Sequence, residues 1–223
     1  MSKVLVVAPH PDDETLGCGG TILKHKAQGD EVYWLIVTEM NSKGGYSDKE
    51  ISERNKQIEK VSKAYKFNEV FRLGFESSYL DTSPMAEIIK EFSKVLKKLQ
   101  PEILYIPFKN DVHSDHEVVF NSIIAASKTF RNKKIKSLYV YETISETDFG
   151  SVKNFSDTFT PNVFIDISKF LKKKISIMKI YKSEIKKFPF PRSEKSINAL
   201  AILRGAQSGT LAAESFMLLK EIK

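Results

Sequence analysis

Cysteine occurs once in these 223 residues, at Cys18, which excludes an internal disulfide framework and a multi-cysteine metal site. Long apolar runs are also missing. No stretch approaches the roughly 18 residues that a membrane-spanning helix needs. The N-terminal run Val4 to Ala8 is too short for a signal-peptide core and leads straight into Pro9 and His10, so a cytoplasmic protein is expected. No Pro/Gly/Ser-rich linker and no internal repeat divides the chain. Residues 1–223 are therefore expected to form a single domain, long enough to bury its own core.

The net charge is +7, but acids and bases balance through residue 100 and the excess lies wholly beyond. Between Lys169 and Lys187 eight lysines face one acid, Glu184. A nucleic-acid-binding helix is the sharp interpretation. Arginines and interleaved aromatics are scarce there, which favours a solvated face and no nucleic-acid partner.

Apolar periodicity alternates between strands and helices. Strands are predicted at Lys3–Pro9, Val32–Thr38, Glu69–Leu73 and Ile103–Pro107. Gly17, Gly19 and Gly20 are expected to precede a helix ending near Gln28. Ser47-Asp48-Lys49-Glu50 has the form of a capping box, and Ile51, Ile58, Val61 and Tyr65 then share a helical face. Ser83-Pro84 opens a helix with proline at its first position, and Pro101 stops it. This order predicts an α/β, Rossmann-like architecture, a mostly parallel sheet with helices on both faces. Beyond Lys136, strands are expected near Ser137–Tyr141 and Val163–Ile165. Helices are expected around Ile167–Ile185, Glu194–Arg204 and Leu211–Ile222.

Histidine is scarce, with four in the chain, yet three fall in two short segments. His10-Pro11-Asp12-Asp13-Glu14 follows the first strand, and His113-Ser114-Asp115-His116 follows the fourth. Ligands of open α/β sheets bind outside the carboxyl ends of the strands, so both clusters open onto one crevice. A catalytic zinc site takes three ligands from His and Asp/Glu and leaves a position for water. His10 and Asp13 can face one ion across a tight turn, with a third ligand from the other loop. Asp12 is placed as a carboxylate that accepts the proton of water, and a second histidine can stabilise the tetrahedral intermediate. Each segment also has a bland interpretation. Asp12, Asp13 and Glu14 suit a helix N-terminus, Ser114 to Glu117 matches a capping box, Asp111 suits a turn, and His25 reads as a surface residue. Two clusters on one sheet edge favour the metal site. Gly17-Cys18-Gly19-Gly20 fails as a dinucleotide fingerprint, because Ile22 stands where the third glycine belongs. These small residues instead suit close packing of the helix on the sheet.

The segment from Val4 to Thr21, VLVVAPHPDDETLGCGGT, together with His113-Ser-Asp-His116, resembles the LmbE-like (PIG-L) deacetylase family. Leu73-Gly74-Phe75, Arg204-Gly205 and Ala213-Glu214-Ser215-Phe216 extend the likeness over most of the chain. The resemblance implies a zinc-dependent hydrolase that removes an N-acetyl group from an N-acetylglucosaminyl-type small molecule. It implies His10, Asp13 and His116 as metal ligands and Asp12 as general base. His113 would serve as oxyanion stabiliser or acid, and Asp115 as the carboxylate that orients it. Arg54 and Arg204 match substrate-contacting positions. Relatives associate into trimers or hexamers, so a homo-oligomer is also expected. Two departures bear on substrate identity: Glu76-Ser77-Ser78 stands where relatives carry Pro-Asp-Gly, and Ala212 replaces a tyrosine. The missing aspartate, the arginines and the basic excess point to an anionic, for example nucleotide-linked, acetamido sugar. Two alternatives stay open: the same chemistry on another amide or ester of a sugar conjugate, and a non-catalytic metal-binding relative.

Overall fold

The computed structural model describes residues 1–150 and 158–223. Strand β1 (Lys3–Ala8) is apolar on both sides, so it is stable only with cover on both. Val4, Val6 and Ala8 enter one core, with residues of α1 (Asp13–Ala27), α2 (Asp48–Tyr65), α5 (Leu171–Met178) and α6 (Glu194–Ser208). Leu5 and Val7 enter a second, beneath α3 (Met85–Leu99) and α4 (Ser114–Ala126). The other strands are β2 (Glu31–Glu39), β3 (Val70–Glu76), β4 (Ile103–Pro107), β5 (Ser137–Tyr141), β6 (Val163–Asp166) and β7 (Ala213–Glu221). They form one sheet in the order β3-β2-β1-β4-β5-β7-β6. The pairs from β3 through β5 are parallel, and β7 pairs antiparallel with β5 and β6. Chain order reverses between β1 and β4, which makes the crevice beyond those two strand ends the topological switch point. Both histidine segments start there.

Several expectations hold in detail. Ser47 and Glu50 form the reciprocal capping box of α2. The apolar stripe of α3 is buried at Ile88, Phe92, Val95, Leu96 and Leu99, and Gln100 ends the helix in a left-handed conformation just before Pro101.

Others need correction. The segment 211–222, expected as a helix, instead holds strand β7 (Ala213–Glu221). Ala, Glu, Leu, Met and Lys favour helices by only tenths of a kcal/mol each, whereas β7 gains ladder bonds on both edges and buries Ala213 through Phe216. The helix expected over 167–185 runs only from Leu171 to Met178. Its lysine face is not wholly solvated, because Lys174 is buried and donates to Glu214 Oε1 at 2.7 Å and to the Leu16 carbonyl at 2.7 Å. Gly17, Gly19 and Gly20 lie inside α1 rather than before it, pressed on Tyr141, Tyr65 and Ile167. Pro84 precedes the first residue of α3 instead of occupying it. His25 is half-buried, with Nδ1 2.7 Å from Asp30 and Nε2 3.0 Å from the Tyr105 hydroxyl.

Candidate active site

The chain leaves β1 at Ala8 and turns through Pro9 to Asp12 before entering α1 at Asp13. It leaves β4 at Pro107 and enters α4 at Ser114. The cap of α4 is not Ser114 but the His113 imidazole, whose Nδ1 accepts the Asp115 backbone N–H at 3.2 Å. That bond leaves the proton of neutral His113 on Nε2. Burial, with His10 nearby, lowers the His113 pKa to about 4, so the ring is neutral.

The two turns bring His10, Asp13 and His116 together, with one ligand atom of each within 4.8 Å of the others. Asp13 Oδ2 lies 3.4 Å from His10 Nδ1 and 3.3 Å from His116 Nε2. His116 Nε2 is buried and has no hydrogen-bond partner, and the Asp13 contact is ion-pair proximity only. Both imidazoles are backed on their other nitrogen. His10 Nε2 meets Asp115 Oδ2 at 2.9 Å and His116 Nδ1 meets Asp111 Oδ2 at 2.7 Å. A carboxylate behind each histidine fixes its tautomer and turns its free nitrogen inward, as outer-shell groups do in metal sites. Burial alone would depress the His10 pKa, but its bonds to Asp115 and Asp13 prevail and raise it to about 9. The pocket thus has a surplus of negative potential that suits a cation. The residues fit a divalent metal.

Asp12 points elsewhere. Its Oδ2 accepts from Arg192 Nη1 at 2.8 Å, and burial together with Asp13 raises its pKa to about 7. A cavity of about 180 Å³ opens above, lined among others by His10, Asp12, Ser77, His113, Glu146 and Arg192. It is smaller than the roughly 300–1,000 Å³ that encloses a drug-sized ligand, so it admits one end of a substrate.

The sequence profile of the family "PIG-L: GlcNAc-PI de-N-acetylase" matches residues 5–127. The chain belongs to this family. As a PIG-L member it is a deacetylase, a hydrolase of amide bonds. The diacetylchitobiose deacetylase of Thermococcus kodakarensis is 29% identical over 96% of this chain and 82% of that protein. Among solved structures, a conserved protein of Thermus thermophilus matches with a TM-score of 0.76 at 26% identity, covering 100% of this chain and 97% of that one. The N,N'-diacetylchitobiose deacetylase of Pyrococcus horikoshii matches with a TM-score of 0.78 at 22% identity, covering 98% and 84%.

Of the residues that the PIG-L resemblance implied, His10, Asp12, Asp13, His113, Asp115 and His116 converge on this pocket. Asp115, however, lies 4.0 Å from His113 Nδ1. Its carboxylate serves His10 and the backbone N–H groups of Ser78 and Leu80, at 2.8 and 3.2 Å. What it offers His113 is its backbone amide. Arg54 reaches the cavity wall but donates to the Pro11 carbonyl at 2.9 Å and to Glu184. Arg204 lies outside this cavity, clamped on both oxygens of Glu142 at 2.8 and 2.6 Å. Both arginines are thus already paired with carboxylates. Sequence reasoning missed Arg192, Glu146 and the outer role of Asp111. None of the three stands in a motif, and only tertiary folding brings them to Asp12 and His116.

Proposed function

We propose that this protein is a zinc-dependent hydrolase that removes the N-acetyl group from a terminal acetamido sugar without an anionic substituent. The observation that carries the reading is the inward-facing set His10, Asp13 and His116, with the orphaned Nε2 of His116, beside a carboxylate outside that set, Asp12. Two imidazoles and one carboxylate with room for water suit zinc, which when bound lowers the pKa of water to about 7. Asp12 accepts the proton of the attacking water and delivers it to the departing nitrogen, so amide and water become amine and acetate. His113, neutral with its proton on Nε2, donates to the carbonyl oxygen as charge develops there.

The neutral sugar is supported by electrostatics. Both guanidinium groups on the cavity wall are already paired with carboxylates, Arg54 with Glu184 and Arg192 with Asp12 and Glu146. Two similar proteins are named for diacetylchitobiose, a sugar without formal charge, and others for an N-acetylglucosaminyl L-malate, so the paired arginines carry this part of the reading. The test is acetate release from three substrates: a neutral N-acetylglucosamine-terminated disaccharide, its nucleotide-linked counterpart and an O-acetyl ester. The expected result is turnover of the neutral amide at least as fast as the others, with kcat/KM independent of salt. A salt-sensitive preference for the nucleotide conjugate, or release from the ester alone, overturns the reading.

A further inference from the structure

We propose that Arg192 is a positioning residue for Asp12, holding the general base in its working orientation rather than binding substrate or metal. The inference rests on the base assignment above.

Arg192 immediately precedes the N-cap of α6. The next residue, Ser193, caps that helix by accepting the Ser196 backbone N–H at 3.2 Å, which anchors the backbone beside Arg192. From there the guanidinium reaches three separate parts of the chain. Nη1 donates to Asp12 Oδ2 at 2.8 Å and to Glu184 Oε2 at 3.3 Å. Nη2 donates to Glu146 Oε1 at 2.7 Å, and Nε donates to Ser145 Oγ at 2.6 Å. A guanidinium has five N–H donors in a rigid fork. Four are engaged by protein acceptors, so the group has little left for a substrate.

The need for such a clamp is electrostatic and geometric. Asp12 shares its surroundings with Asp13, Glu146 and Glu184, and like charges this close push one another out of place. Its backbone, at φ 144°, lies where a side-chain-bearing residue is strained, so local preference does not hold the carboxylate. Arg192 supplies the opposing charge and, through its fork, a fixed direction. A second arginine extends the brace. Arg54 binds both Glu184 and the Pro11 carbonyl, so the chain Arg54, Glu184, Arg192 ties both sides of the Asp12 peptide. A point-like ammonium cannot bridge Asp12, Glu146 and Ser145 at once.

The experiment compares wild type, Arg192→Ala, Arg192→Lys, Asp12→Asn and the double variant Asp12→Asn/Arg192→Ala, each loaded with zinc. Arg192→Ala is expected to lower kcat about 10–100-fold, the scale of a misplaced catalytic group, with KM within about twofold. Zinc content by elemental analysis should match wild type. Arg192→Lys should recover only part of the loss. Added guanidinium should raise the turnover of Arg192→Ala saturably and leave Asp12→Asn unchanged. The double variant should be no slower than Asp12→Asn, because the clamp acts through the residue already removed. A rise in KM with kcat intact, a loss of zinc, or a double variant slower by the full product of the two effects overturns the positioning role. Wild-type turnover by Asp12→Asn is a different outcome: it removes the base assignment itself and the inference with it.

Discussion

Asp12 and Asp13 are adjacent, chemically identical, and placed in opposite surroundings. Asp13 turns Oδ2 toward the His10 backbone N–H at 2.8 Å and toward two imidazoles, whose proximity holds its pKa well below the usual carboxylate range despite burial. Asp12 faces Arg192 and the cavity. The turn between them has its own support: the Asp12 N–H donates to Glu14 Oε2 at 3.0 Å, and Tyr181 donates to the other oxygen of Glu14 at 3.0 Å. Holding a non-glycine residue at φ 144° costs on the order of 1–3 kcal/mol, and these bonds offset it. Asp12→Asn should keep its zinc while losing turnover about 10²–10⁴-fold, because the amide fills the same space but accepts no proton. Asp13→Asn should instead lose zinc. Parallel elemental analysis and acetate assays on the two variants check this, and the reverse pattern would exchange the roles. The motif made both aspartates legible in the sequence. It did not show that Asp115 would back His10, since that pairing spans 105 residues.

At the scale of elements, α1 positions the site and its fit against the sheet depends on its glycines. A Cβ on Gly17 would lie 2.3 Å from the Tyr141 ring. That ring cannot turn aside freely, because its hydroxyl donates to the Val7 carbonyl at 2.8 Å. Gly17→Ala gains up to about 1 kcal/mol in helix propensity, but overpacking a tight contact costs typically 1–3 kcal/mol. The clash should win. Urea unfolding should show a net loss of about 1–2 kcal/mol, and turnover should fall as well because Gly17 is one helical turn from Asp13. An unchanged or raised stability would mean that the helix slides to make room. The sequence already suited these small residues to close packing, but not to the interior of the helix. The limits of β4 and β5, by contrast, coincide with their apolar runs at Ile103–Pro107 and Ser137–Tyr141. β7 was illegible because its residues favour a helix, and what outweighs them is the pair of antiparallel neighbours that only the folded sheet supplies.

Across the whole molecule, the site joins three segments far apart in sequence: the turn after β1, the loop after β4, and the loop that delivers Arg192. A cation held by His10, Asp13 and His116 therefore cross-links the folded state and has no equivalent partner in the unfolded chain. At 100 times its dissociation constant such a ligand contributes about 2.7 kcal/mol, or roughly 5–10 °C of melting temperature for a chain of this size. Stripping the protein with a chelator should lower Tm by that amount, and one equivalent of zinc should restore it. His116→Ala should show no zinc-dependent shift. Calorimetry on both proteins, with and without zinc, checks the expectation, and a stripped wild type that melts unchanged would separate metal binding from folding.

The sequence alone determined the alternating α/β order, the two strand-end clusters and the residues that gather as a candidate metal site. Those features are local: a run of apolar residues buries itself wherever the sheet forms, and a turn after a strand places its side chains at that strand's end. Tertiary structure alone decided that β7 is a strand, that Lys174 is paired inside the fold, that Arg54 and Arg204 are engaged by carboxylates, and that Arg192 clamps Asp12. Each of these depends on the charge or hydrogen-bonding group of a residue distant in sequence, and no local pattern encodes that partner.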